Sequence, residues 1–274
     1  MSSILTNSSA MVALATLNDV NRGLNQTQDR VSSGLKISSG KDNAAYFAIS
    51  MTMKGDSSMF EAVNEGLTTT KNSIATARLG AETVADLAEQ FAERVAFAQG
   101  QGLDLADVQK ELDGFVDRMN AAIDQSTFNG SDLVSSTATQ TVVTGITRSG
   151  VTAFETTTVT FNAVDLGAIA TALDAIDVST STDLQADLVT AQQQYAAAVT
   201  ASTDLGVAEK TVEGQQQFLD SLIDTLDAGV GAMVDADMEE EAARLQAFQV
   251  QQQLAVQSLS IANQSPQNIL SLFR

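Results

Sequence analysis

The sequence predicts a mainly α protein built from long helices of coiled-coil type, with one small β-hairpin near mid-chain. Three observations predict it. Apolar residues recur at alternating spacings of three and four over most of the chain. A single proline in 274 residues lets those stretches run as uninterrupted helices. A β-branched run, TQTVVTGITRSGVTAFETTTVTF, is interrupted at Arg148-Ser149-Gly150, where a hairpin would turn.

The N-terminal helix is expected over residues 1–35. Leu17, Val20, Leu24, Val31 and Leu35 form a heptad seam, with Arg22, Asp29 and Arg30 off it. Gly34 and Gly40 then bracket a Ser-rich connector, SSGLKISSGKDN, leading into the short segment AAYFAISMTMK. The connector lacks the spacing, the Ser or Thr after Lys41, and the preceding strand of a phosphate loop. A long helix follows over about residues 58–99, on a seam from Val63 through Ile74, Val84 and Phe91 to Ala98. At about 1.5 Å per residue it would be roughly 60 Å long. Gly100 and Gly102 end it, and a second helix over about 104–127 starts with Asp104 as N-cap.

The hairpin is expected over about 137–164, packed flat on helices because two strands alone bury too little. A short helix at 165–177 and a loop precede a third long helix over about 183–233, whose seam slips by one step after Leu205. The densest carboxylate cluster, Asp235 to Glu241, lacks the glycine and ligand spacing of a calcium loop. It reads as the acidic first turn of a last helix.

That last helix carries Leu245, Phe248, Ala255, Leu259 and Ala262 on one line with Gln252, continuing toward Leu270 and Leu272. Val250, Leu254, Val256 and Ile261 widen its apolar surface beyond one stripe. A helix so broadly apolar requires cover on several sides, which points to other copies of the chain.

Composition narrows the function. The formal net charge is −20, placed unevenly. Residues 1–58 carry five basic and four acidic groups, residues 245–274 carry Arg274 alone, and residues 59–244 hold −22. Near-neutral ends that associate and an acidic middle that faces water fit this distribution. It argues against nucleic-acid binding, which requires clustered Lys and Arg. No apolar run is long enough for membrane insertion, and the first residues lack the charged start of a cleaved signal. With no histidine and no cysteine, the commonest general base, the commonest metal ligand and thiol chemistry are missing. No cofactor, metal or catalytic residue is expected, and the chain is not read as an enzyme.

Three stretches carry a family resemblance: VSSGLKISSGKDNAAYFAIS (31–50), STFNG (126–130) and VDADMEEEAARLQAFQVQQQLAVQSLSIANQSPQNILSLFR (234–274). Together they resemble bacterial flagellin, of a short, core-only and possibly alphaproteobacterial type. The ending ANQSPQNILSL is the most specific of them.

The resemblance implies a long antiparallel helical rod with the hairpin, and an inner coiled coil made by both termini. The inner domain would be 1–40 plus 237–274, and the outer 41–236. It implies a structural subunit of the flagellar filament, placed outside the cell and exported unfolded through the type III channel. Partners would be the chain itself or other flagellins, an export chaperone on the C-terminal helix, and cap and hook-junction proteins. Assembly residues would be Leu17, Val20, Leu24, Val31, Leu35, Leu245, Phe248, Ala255, Leu259, Ala262, Leu270 and Leu272.

Two competing readings are a hook–filament junction protein, which shares the helical ends, and a secreted adhesin that stays monomeric. The Ser/Thr-rich middle offers Ser135, Ser136, Thr137, Thr156, Thr157 and Thr158 as O-glycosylation candidates. Plain β-propensity explains them equally well.

Overall fold

The computed structural model describes the backbone of residues 7–148 and 154–271 and the side chains of 7–148 and 155–264. The elements are α1 (Ser8–Ser33), α2 (Ala44–Ala98), α3 (Leu105–Gln125), β1 (Thr139–Arg148), β2 (Phe154–Asn162), α4 (Leu166–Asp174), α5 (Leu184–Val234) and α6 (Met238–Ser271). The architecture is mainly α with one two-stranded antiparallel sheet.

An Asn or Asp side chain accepts a backbone N–H at the start of every one of these helices. The capping residues are Asn7, Asn43, Asp104, Asp165, Asp183 and Asp237. Each satisfies a donor the helix leaves unpaired, and the carboxylates also favour the positive end of the helix dipole. Part of the acidic composition is thus spent on starting helices.

Two differences from the sequence reading concern helix ends. AAYFAISMTMK is no separate segment: α2 begins at Ala44, because Asn43 Oδ1 accepts from the amides of Ala45 and Tyr46 at 3.1 and 3.2 Å. α1 stops at Ser33, because Gly34 takes φ +72° and donates its N–H back to the Arg30 carbonyl at 2.8 Å. That left-handed turn suits glycine and removes Leu35 from the helix.

The chain divides into two units, one of residues 1–56 with 225–274 and one of residues 57–224. The division expected from the sequence lay after residue 40 and before 237. In the first unit, the strap after α1 is hydrogen-bonded to the end of α5. Lys36 N–H donates to the Val234 carbonyl at 2.7 Å, and Ala236 N–H donates to the Gly34 carbonyl at 2.9 Å. Ile37, Val230 and Val234 are buried there against Leu35, Phe47, Met53 and Met233. This small core ties the start of α2 and the end of α5 to the terminal helices, which moves the boundary past the connector.

In the second unit α2 and α5 run antiparallel. Asn64 donates to Asp220 (2.6 Å), Gln216 to Thr68 (2.8 Å), Lys71 to Glu213 (3.3 Å) and Arg78 to Glu209 (2.8 Å). Between them lies a core of Leu67, Ile74, Val84, Phe91, Leu205 and Leu219, shared with Leu112 and Met119 of α3 and Leu166 and Leu173 of α4. The hairpin pairs Val142 with Val159 and carries a bulge at Thr144, the extra residue between Val143 and Gly145. Gln215 fixes that bulge to α5 by donating to the Thr144 carbonyl at 3.0 Å. Of the expected turn, Ser149 and Gly150 lie outside the described residues.

Candidate assembly interface

The terminal helices α1 and α6 pair antiparallel inside the first unit. Val20 and Thr27 are the buried residues of α1, with Leu17, Leu24 and Val31 half-buried on the same line. On α6 the inward line is Glu241, Leu245, Phe248, Gln252, Ala255, Leu259 and Ala262. It is a continuous alternation of fours and threes, so the heptad rule and the observed burial agree.

Four contacts fix the register. Arg30 donates to Glu241 Oε1 at 3.1 Å, Gln252 to Asn21 Oδ1 at 2.7 Å, and Asn7 to the Ala262 carbonyl at 2.8 Å. The fourth is Phe248, whose ring lies over Gly23. A polar residue on a coiled-coil seam costs stability but penalises a slipped register, which would leave it unpaired.

Several of these residues differ from the sequence reading. Arg30 lies off the seam by spacing, yet it reaches inward to Glu241, which is only 4% exposed. Glu241 belongs to the seam as well as to the acidic first turn, one heptad before Phe248. Asp237 does the capping, with Oδ1 accepting from Glu239 and Glu240 N–H at 3.0 and 3.2 Å. Among the described residues no group of three or more carboxylates is placed to hold a metal ion. Thr27 completes the heptad between Leu24 and Val31, and only its polarity hid it. Leu35 is not on this seam; beyond Gly34 it forms a single-residue bridge to Asp235 and packs against the cluster of Ile37, Val230 and Val234. The Leu270 side chain and all of Leu272 lie outside the described residues.

The faces turned away from the seam are apolar and open. Met11, Val12 and Leu14 on α1, and Val250, Leu254, Val256 and Ile261 on α6, are each about half or more exposed. Two helices sharing one seam cover one stripe of each, and the breadth of apolar surface in α6 exceeds one stripe. Among the described residues no helix is long and apolar enough to cross a membrane.

The Ser/Thr candidates all lie at the surface. Ser135, Ser136 and Thr137 precede β1, and Thr156, Thr157 and Thr158 lie along β2. Thr157 has a structural part as well, since its carbonyl accepts from the Thr144 hydroxyl at 3.3 Å.

The expected STFNG stretch gains a physical meaning here. Ser126 closes α3, donating its hydroxyl to the Ala122 carbonyl, and seats on Gly80 of α2, where any side chain would collide with it. Asn129 and Gly130 both have positive φ, which builds the tight turn between Phe128 and Ser131.

Residues 4–139 match the bacterial flagellin N-terminal helical region, and residues 188–273 match the bacterial flagellin C-terminal helical region. A flagellin of Brucella melitensis is 38% identical, and the alignment covers all of both chains. Flagellin FljM of Caulobacter vibrioides is 34% identical over all of this chain and 99% of its own, and Flagellin C of Rhizobium meliloti is 30% identical over all of both. These organisms are alphaproteobacteria. A putative flagellar hook-associated protein of Vibrio parahaemolyticus shares the fold at a TM-score of 0.53, 14% identity, 71% of this chain and 100% of its own. With family matches at both ends and relatives aligned along its full length, the chain belongs to the bacterial flagellin family and is a structural subunit of the flagellar filament.

Proposed function

We propose that this subunit polymerises through its terminal helices, and that their folding is completed by assembly. The observation that carries this is the pair of uncovered apolar faces on α1 and α6, from Met11 to Leu14 and from Val250 to Ile261. A paired but isolated two-helix coil buries too little to offset the ordering of its chain. Neighbouring copies supply the remaining burial at about 25 cal/mol per Å². Leu17, Val20, Leu24 and Val31, with Leu245, Phe248, Ala255, Leu259 and Ala262, hold the intramolecular seam; Leu270 and Leu272 are assigned a part in assembly. Leu35 supports the strap that positions them.

On this reading the terminal helices form the inner layer of the filament and the acidic middle its outer layer. The chain works outside the cell after unfolded export, with a chaperone covering the C-terminal helix beforehand and cap and hook-junction proteins meeting it at the filament ends. The exposed hydroxyls of Ser135, Ser136, Thr137, Thr156, Thr157 and Thr158 are available for glycosylation. An intact mass on native filaments equal to that of the bare chain would end that part.

The test is polymerisation of the purified chain, scored by electron microscopy beside a chain lacking Ile269–Arg274. Filaments from the first and none from the second are expected. A full chain that stays monomeric with seeds and precipitant would favour the adhesin reading instead.

A further inference from the structure

The turn after α3 holds the one Asn-Gly pair of the sequence, Asn129-Gly130. Both residues have positive φ, 51° and 77°, and both are exposed. Two hydrogen bonds close the turn: Ser131 N–H donates to the Phe128 carbonyl at 2.9 Å, and Phe128 N–H to the Ser131 carbonyl at 3.3 Å. Among the described residues neither the Asn129 carboxamide nor the Gly130 N–H has a hydrogen-bond partner. A Cβ on Gly130 would meet nothing within 4 Å.

This combination sets Asn129 apart. The other described asparagines are each bonded through the carboxamide, as Asn43, Asn64 and Asn162 are, or placed inside a helix, as Asn72 is. Inside a helix the next amide is committed to the hydrogen-bond ladder. Asp113-Gly114, the acidic counterpart of the pair, is held in this way inside α3.

In an Asn-Gly pair the backbone nitrogen of the second residue and the carboxamide carbon of the first are a nucleophile and an electrophile on adjacent residues. Their reaction has the advantage of an intramolecular step. A side chain on the second residue would hinder the approach; glycine has none, and its peptide rotates freely to either sign of φ. The two closing hydrogen bonds restrain that rotation in the folded turn. Only this exposed bridge has to open, a local event that leaves the helices of the unit intact.

We propose that Asn129 is a self-modifying site, converted in water and without an enzyme to aspartyl and isoaspartyl forms. Hydroxide takes the Gly130 N–H proton, the nitrogen bonds to Asn129 Cγ, and the Cγ–Nδ2 bond breaks as ammonia leaves with a proton from water. Water then opens the cyclic imide. Cleavage of the new N–Cγ bond gives aspartate. Cleavage of the bond to the Asn129 main-chain carbonyl carbon gives isoaspartate, whose backbone runs through Cγ.

The two products differ in consequence. Aspartate tolerates positive φ as asparagine does, and keeps the turn. Isoaspartate adds a methylene to the backbone of a turn fixed on both sides. Ser126 is seated on Gly80 before it, and Leu133 and Val134 are buried after it. The added length breaks the Phe128–Ser131 pairing and loosens the end of α3.

The experiment incubates the full chain, folded and in denaturant, in mildly alkaline buffer. Peptide mass spectrometry maps the loss of ammonia, and chromatography against synthetic standards separates aspartyl from isoaspartyl peptides. Asn129 of the folded chain is expected to react about tenfold or more faster than Asn72, and to yield both products. Asn129 intact in the folded chain would overturn the proposal whatever the denatured chain does, and so would reaction at Asn72 at an equal rate. Thermal melts then read the consequence. The reacted chain is expected to melt below the untreated one, and Asn129→Asp to melt with the untreated one. A reacted chain that melts like the untreated one, or Asn129→Asp melting as low as the reacted chain, would overturn the part given to the isoaspartyl backbone.

Discussion

The Phe248 ring fills the notch left by the missing side chain of Gly23. A Cβ on Gly23 would stand 2.7 Å from the ring's Cζ and 2.8 Å from Cε1. The two residues mark one register of the α1–α6 pair, between the Arg30–Glu241 and Asn21–Gln252 contacts on either side.

Gly23→Ala therefore reverses the usual outcome of such a change. In an open helix it gains about 1 kcal/mol of helix propensity. Here the added methyl overpacks the seam at a cost of about 1–3 kcal/mol. Gly23→Ala is expected to lower the thermal depolymerisation temperature of filaments, while Gly114→Ala, where a Cβ meets nothing within 4 Å, should leave it unchanged or raise it.

Glu241→Ala leaves Arg30 facing a seam without its acid. The Arg30 side chain is 22% exposed, so part of its solvation returns, and a loss of about 2–3 kcal/mol is expected. Replacing both residues, Arg30→Met with Glu241→Leu, should recover most of it, because the buried charge goes with its partner. Denaturation of filaments by guanidinium chloride measures both. A double variant as weak as the single one would show that the pair is not a unit.

Gly80→Ala tests the seat of α3 on α2. The new methyl would collide with Ser126, whose hydroxyl lies over Gly80. Displacing Ser126 loosens the end of α3 and the Asn129–Gly130 turn, at a cost of about 1–3 kcal/mol. Ser126→Gly in the same chain should restore much of the loss, read as the melting temperature of the monomer.

Three loop carboxylates predict how the protein responds to acid. The Ser39 hydroxyl, helped by the Ser38 amide, holds Asp42 below its ordinary value of 3.8, and the Ser179 and Thr180 hydroxyls do the same for Asp177. At Asp132 the cause is chiefly the Val134 amide. A depressed folded value means the stabilisation is complete above the unfolded pKa and disappears as pH falls through the lower folded one. The melting-temperature gap between wild type and Asp42→Ala should be constant near neutrality and close only below about pH 4. A gap that closes between pH 5 and 7 would rule out Asp42 as its source.

The sequence was most legible where period and polarity agreed. The inward line of α6 from Leu245 to Ala262 follows from spacing alone, as do the helices of the second unit and its hairpin. What spacing could not show were contacts defined by an absent or a polar side chain. Gly23 and Gly80 look like weak points in their helices until Phe248 and Ser126 are seen against them. Thr27 and Glu241 hold heptad positions that an apolar pattern skips, and Arg30 reads as a surface residue until its acid is located. Ser- and Gly-rich sequence hides the start of α2, although Asn43 is a capping residue by type. Leu35 kept the heptad count but not the helix, because Gly34 turns the chain first.

Amide hydrogen exchange of the full chain, as monomer and as filament, tests most directly the claim that assembly completes the terminal helices. The amides of α1 and α6 are expected to exchange within seconds in the monomer and to be protected in the filament, with those of α2, α3 and α5 in the second unit protected in both. Terminal helices already protected in the monomer would contradict the account, because their uncovered faces would then need no partner to hold them in place.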